Sequence, residues 1–301
     1  MSFDLVRRQL ADVIAITLTP FDENGAVDAA AFERTVRRMV GAGVRTLTVN
    51  GNTSEFYTLS PAEARHGVEL AIRAAGTDVL VIAGVGLDGE SAARAAKEAA
   101  ALGAQAVMVH QPVHPYISNE GWVRYNQQIA EQVPDLAVIP YVRNDAIGAR
   151  DFLALTESCA NVVGVKYAVP DVVRFATICR EVGDRVVWIG GLAELAAPGY
   201  FAVGAAGFTS GLVNVAPQFS LDLFTALRDG KNAEALGIWD LIREFEEMRL
   251  VRNGADNVSV IKEALHQLGV CRPDVRAPSS RLAGDDRIRV EKILQSWGVA
   301  K

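Results

Sequence analysis

Cysteine is scarce in this chain, occurring only as Cys159, Cys179 and Cys271. An odd number with no C-x-x-C spacing encodes no complete disulfide framework. That usage suits a reducing compartment, so the cytoplasm is the expected location. Positive charge is outweighed, with 30 Lys and Arg against 36 Asp and Glu and a net charge of -6. No basic face is therefore available for a polyanion, and nucleic acid is not an expected partner. Long apolar runs are missing too: none approaches the roughly 20 residues that a membrane-spanning helix needs. Residues 1–12 scatter Asp4, Arg7, Arg8 and Asp12 among isolated apolar side chains, where an export signal would carry a continuous apolar stretch. Neither a membrane nor an export route is expected.

What is present is half hydrophobic over 301 residues, enough for one large barrel or two ordinary domains. Short β-branched runs alternate with longer amphipathic, Ala- and Arg-rich runs. The strand candidates are residues 13–18, 44–50, 79–84, 105–109, 136–141, 162–167, 186–190 and 206–210. Helices are expected to begin near Asp28, Ser60, Asp88, Ser118, Ala149, Pro170, Glu194 and Ala216, several with an N-cap residue or an early proline. Gly41, Gly43, Gly76, Gly103 and Gly183 mark helix ends. The repeat averages about 27 residues, near the pitch of a closed (β/α)8 barrel. A doubly wound open sheet is the alternative, but it more commonly stops at about five or six strands. The expected fold is thus α/β, a (β/α)8 TIM barrel over 1–230 with a C-terminal helical extension of the same domain over 231–301. That extension reads as a long helix through Arg249, a second over 257–268 and a third over 285–297, with the Pro- and Arg-containing stretch 271–281 as the connection.

Barrel chemistry belongs at the carboxyl ends of the strands. After the second expected strand comes Asn50-Gly51-Asn52-Thr53-Ser54-Glu55, where backbone N–H groups and small hydroxyls could converge on a carboxylate; an ordinary capping turn is the other reading. The sixth strand carries Lys166 in an apolar run. Burial would lower its pKa and free the amine to attack a ketone, although a strand-end lysine can also snorkel to water. The fifth strand ends in Tyr141, one strand away and a candidate proton shuttle, or else a barrel-filling aromatic. Arg143 could clamp an acidic substrate or be a solvated loop charge. Gly84-Val85-Gly86-Leu87-Asp88-Gly89 fits the dinucleotide fingerprint, but no acid follows about 20 residues on to hold a ribose. His110 and His114 have a helical metal-pair spacing that Pro112 and Pro115 disallow. His66 and His266 sit in helical segments as surface or packing residues.

The strand-six lysine, the strand-five tyrosine and the 51–55 loop together resemble the dihydrodipicolinate synthase and N-acetylneuraminate lyase family of class I, Schiff-base aldolases. The likeness runs from Leu18-Thr19-Pro20-Phe21 through Gly164-Val165-Lys166 and Gly190-Gly191 to the C-terminal helices. It implies an imine between Lys166 and a 2-oxo acid, proton transfer by Tyr141, and a substrate contacted by Asn52, Thr53, Ser54, Arg143, Gly190 and His114. No metal or separate cofactor is implied, and a homo-oligomer, dimer or tetramer, is. The chain also departs from the family. Its loop has Asn52 and Ser54 where the family usually reads Gly-Thr-Thr-Gly-Glu. Pro112-Val113-His114 stands where synthases place a relay tyrosine, and Ala146 where they place an arginine for the second substrate. Residues 55–59, 192–198 and 252–264 resemble the branch acting on deoxy-oxo sugar acids, including the 5-dehydro-4-deoxyglucarate dehydratases.

The leading expectation is a lyase or dehydratase acting on pyruvate or 2-oxo-3-deoxy sugar acids. A barrel that binds 2-oxo acids without turning them over is the alternative. A true synthase of lysine biosynthesis and a metal-dependent aldolase stand behind both.

Overall fold

The computed structural model describes residues 2–299. Eight strands, β1 Val13–Ile16, β2 Thr46–Val49, β3 Leu80–Val85, β4 Ala106–Val109, β5 Ala137–Val142, β6 Gly164–Tyr167, β7 Val187–Gly190 and β8 Gly207–Ser210, close into a barrel in chain order. The pairings from β3 through β8 are all parallel. The protein is a (β/α)8 TIM barrel, as the alternating pattern predicts. Helices follow as α2 Ala29–Gly41, α3 Pro61–Ala75, α4 Gly89–Leu102, α5 Asn119–Gln132, α6 Ala149–Ser158, α7 Val172–Val182, α8 Ala193–Phe201 and α9 Pro217–Arg228, with α10 Asn232–Gly254, α11 Asn257–Gln267 and α12 Gly284–Ser296 beyond them.

Helix starts are fixed by short polar side chains that accept otherwise orphaned backbone N–H groups. Asp28, Asp88, Ser118 and Asp171 each cap the third residue beyond, and Ser60 forms a reciprocal capping box with Glu63. Gly103 closes α4 at φ 105°, where any other residue would be strained. One element is absent from the sequence reading: helix α1, Phe3–Leu10, precedes the first strand. Its signals are weak, only Val6 and Leu10 being buried, but Ser2 caps it and Arg7 and Arg8 lie in its last turn. Regular geometry in α10 fails at Val251, Arg252 and Asn253, the last two in the left-handed region, so its straight part ends close to the expected Arg249.

The chain packs as two compact units. One is built from the chain up to Ile14, Arg45–Thr48 and Thr77–Thr209. Its core gathers Val6, Leu10, Ile14, Ile82, Met108, Ile139, Val163 and Ile189. Gly164 packs closely there: a Cβ would lie 2.9 Å from Leu10 Cδ1 and 3.3 Å from Val187 O, so the leucine end would have to shift to admit it. The other unit comprises Ala15–Val44, Val49–Gly76 and the chain from Ser210 onward. Among the described residues no helix is long and apolar enough to cross a membrane, and all three cysteines are free.

Candidate active site

In the first unit, the parallel register of β5 against β6 sets Tyr141 opposite Lys166. Successive strand residues face opposite sides, so this register is what makes the two side chains neighbours. The Lys166 Nζ lies 4.3 Å from the centroid of the Tyr141 ring. Both residues are buried, each 5% exposed. Burial strips water from the ammonium and is the main reason that the Lys166 pKa falls to about 7; the Arg143 charge adds to the effect. A substantial share of the amine is therefore free at neutral pH, as a nucleophile requires.

His110 is a member of this cluster that the sequence does not single out as such. It directly follows β4, is 1% exposed, and sets its ring edge-on to Tyr141 at 6.2 Å and 72°. The available signal was a polar residue at the carboxyl end of a strand; its spacing to His114 drew attention to metal binding instead. His114 is exposed, and its Nδ1 contacts the backbone of Tyr116 at 2.9 Å and 3.2 Å. Among the described residues no three His, Cys, Asp or Glu side chains converge as metal ligands. The backbone N–H of Arg143 donates to Gln111 Oε1 at 3.3 Å, joining the segments after β4 and β5. Gly190 ends β7 beside Tyr167, with ordinary room for a Cβ. Gly191 has none: a Cβ would sit 2.7 Å from Ala168 Cβ and 2.9 Å from Tyr167 O. The glycine-rich Gly84–Gly89 stretch serves as a strand-to-helix turn, with Leu87 left-handed and Asp88 capping α4.

The second unit carries the loop after β2. Asn50 is left-handed and donates from Nδ2 to Ala64 O at 2.9 Å. Gly51 admits no side chain, since a Cβ would approach Ile16 Cγ2 to 2.5 Å. The Ser54 hydroxyl is taken up by the loop itself, donating to Thr17 O at 2.5 Å and accepting the Gly51 N–H at 3.0 Å. Thr19 donates to Ser54 O at 2.8 Å. Thr53 differs: it is 6% exposed, and its N–H and hydroxyl make no hydrogen bond among the described residues. Of the three expected substrate contacts here, Ser54 builds the loop and Thr53 keeps two donors to offer. Asn52 is half-buried beside it.

A buried amine thus lies against a phenol on adjacent strands of this barrel. The sequence profile of the Dihydrodipicolinate synthetase family matches residues 9–297. The chain belongs to this family. Among its relatives, a probable 5-dehydro-4-deoxyglucarate dehydratase of Rhizobium rhizogenes is 30% identical over 288 residues, 94% of each chain. The 5-dehydro-4-deoxyglucarate dehydratase of Pseudomonas putida is 28% identical over 95% of each. Among solved structures, dihydrodipicolinate synthase from Oceanobacillus iheyensis superposes with a TM-score of 0.94 at 34% identity, covering 99% of both chains. The Bacillus clausii dihydrodipicolinate synthase gives 0.94 at 37%, covering 97% of this chain and 99% of that one. The protein is an enzyme of the lyase class, in agreement with the sequence reading. Its segment after β5 still departs from the synthase pattern. Ala146 contributes backbone alone there: its N–H donates to Asn144 Oδ1 at 2.9 Å and its carbonyl accepts from Asn119 Nδ2 at 3.0 Å.

Proposed function

We propose that this family member is a Schiff-base lyase acting on 2-oxo acids, with 2-oxo-3-deoxy sugar acids as the substrate class and water elimination as the reaction. The observation that carries this reading is the buried Lys166 amine held over the Tyr141 ring. The free amine adds to the 2-oxo carbon, and loss of that oxygen as water leaves a protonated imine, which draws electrons from C3. Loss of a C3 proton then gives an enamine that expels the C4 hydroxyl as water; aldol cleavage would instead start from the protonated imine, the C4 hydroxyl giving up its proton as the C3–C4 bond breaks to leave an aldehyde and the enamine. Tyr141 carries the protons in either course. The covalent imine serves in place of a separate cofactor. Arg143 supplies a cation for an acidic substrate, and Thr53 is assigned to the substrate carboxylate through its uncommitted N–H and hydroxyl.

Dehydration is favoured over lysine biosynthesis because the second-substrate arginine is replaced by Ala146 and because relatives matched over nearly the whole chain carry the dehydratase name. The test is turnover of a panel of 2-oxo-3-deoxy sugar acids by the protein and its Lys166→Ala variant. Turnover by the parent, and none by a variant with an unchanged circular dichroism spectrum, is expected. Turnover surviving in Lys166→Ala would reject the mechanism. Binding of panel members with no turnover by the parent would make it a binding barrel.

A further inference from the structure

The second unit contains a buried charge network that the chemistry at Lys166 does not use. Glu55 ends the loop after β2 in left-handed backbone, φ 60°, and is almost fully buried. Its Oε2 accepts from Lys262 Nζ of α11, and its Oε1 accepts the Arg276 N–H at 2.8 Å. Lys262 is 0% exposed, also donates to Asp274 O at 2.7 Å, and lies 4.1 Å from the centroid of the Phe21 ring. The Arg276 guanidinium also lies over Phe21, at 4.3 Å. It donates to Thr58 O at 3.0 Å and Gly25 O at 2.6 Å, and grips Glu63 with both terminal nitrogens.

A buried ion pair is poor value as a stabiliser, because desolvating two charges offsets their attraction and packed apolar side chains would serve as well. What such a pair does supply is a fixed geometry. The loop needs one, since Asn50 and Glu55 both hold the left-handed conformation that non-glycine residues avoid. Between these two strained residues sits Thr53, buried and with its N–H and hydroxyl uncommitted among the described residues. The Ser54 hydroxyl pins the middle of the loop to Thr17, and Glu55 ties its far end to the C-terminal segment through Lys262 and the Arg276 N–H.

We propose that Glu55 and Lys262 are positioning residues which, with the Arg276 N–H, hold the Thr53 loop in the shape that receives a carboxylate, so that α11 and the chain around Arg276 set affinity for the substrate's acid group. This rests on the reading of the protein as a 2-oxo acid lyase. Neither residue touches substrate; both act through the direction of the Thr53 N–H and hydroxyl.

The test uses oxamate, a 2-oxo acid mimic whose amide carbonyl forms no imine, so that binding reports carboxylate recognition apart from Lys166 chemistry. Oxamate affinity and thermal midpoint are measured for the parent, for Thr53→Val, and for the paired Glu55→Gln, Lys262→Met variant, which removes both charges together and leaves neither buried alone. The expected result is a loss of affinity of about tenfold or more in both variants, with a midpoint close to the parent's in the paired variant. Should the paired variant fail to fold, Glu55→Gln alone is read by oxamate affinity, with the same tenfold loss expected and a lowered midpoint beside it because Lys262 is then buried without its partner's charge; parent-like affinity in that variant would overturn the proposal. Unchanged affinity with a lowered midpoint would show a merely structural pair and overturn the proposal, as would a parent that binds no oxamate. Borohydride trapping of pyruvate on the parent separates the two claims. Trapping with unchanged oxamate affinity in the paired variant sinks the positioning role alone, whereas no trapping sinks the lyase reading beneath it.

Discussion

A lysine held nearly free of water weakens the fold that holds it, and the size of that penalty follows from its pKa. In the unfolded chain Lys166 titrates near 10.5, and in the folded protein near 7. Between those values the unfolded chain binds more protons than the folded one, so the contribution of this residue to stability improves as pH rises. Below pH 7 the penalty is complete. At about 1.36 kcal/mol for each tenfold difference in proton affinity, it reaches a ceiling of about 5 kcal/mol and falls to about 2 kcal/mol at pH 9. Lys166→Met keeps the length and apolar character of the side chain and removes the charge. We expect it to be more stable than the parent by about 2–5 kcal/mol at pH 6, a rise in melting temperature of about 3–8 °C for a chain of this size. The advantage should shrink by more than half at pH 9. Urea unfolding of both proteins at the two pH values measures it. A variant less stable than the parent at pH 6, or a difference that does not change with pH, would refute the claim that burial lowers this pKa.

Three further predictions follow from the same geometry. The rate of imine formation with pyruvate should climb with pH through about 7 as the Lys166 amine is freed; Arg143→Leu removes the second cause of the lowered pKa and should move the midpoint upward, read from the pH profile of reductive trapping. Tyr141→Phe should lower kcat by about 10²–10⁴-fold, the usual worth of a positioned acid or base, while circular dichroism stays unchanged; full turnover in this variant would remove Tyr141 from proton transfer. Gly191→Ala should destabilise by about 1–3 kcal/mol, because its Cβ meets Ala168 and the Tyr167 carbonyl, and a denaturation midpoint equal to the parent's would show that the end of β6 gives way freely.

The barrel was legible because each strand is a short apolar run bounded by turn residues, and each of several helices opens on a side chain that caps it. Strand ends were less so. The first was expected to reach Leu18 but stops at Ile16, since the Leu18 N–H is claimed by the side chain of Asn214, 196 residues on, and no local pattern announces that bond. Helix α1 escaped because two buried residues give too little periodicity. At the site, Lys166 and Tyr141 stood out as polar groups at the ends of apolar strands, and the register places them together. His110 was equally polar and equally placed, yet its partner is a ring on the next strand, which spacing to His114 obscures. The tie from Glu55 to Lys262 spans 207 residues and depends on how α11 packs, so it becomes visible only in the folded chain.

The central claim is that Lys166 is the nucleophile. The most direct measurement is intact mass after incubation with pyruvate and borohydride, followed by peptide mapping. The account predicts one reduced pyruvyl adduct per chain, located on Lys166, and absent from Lys166→Ala. An adduct on another lysine, or none from pyruvate and from a panel of 2-oxo acids, would contradict it.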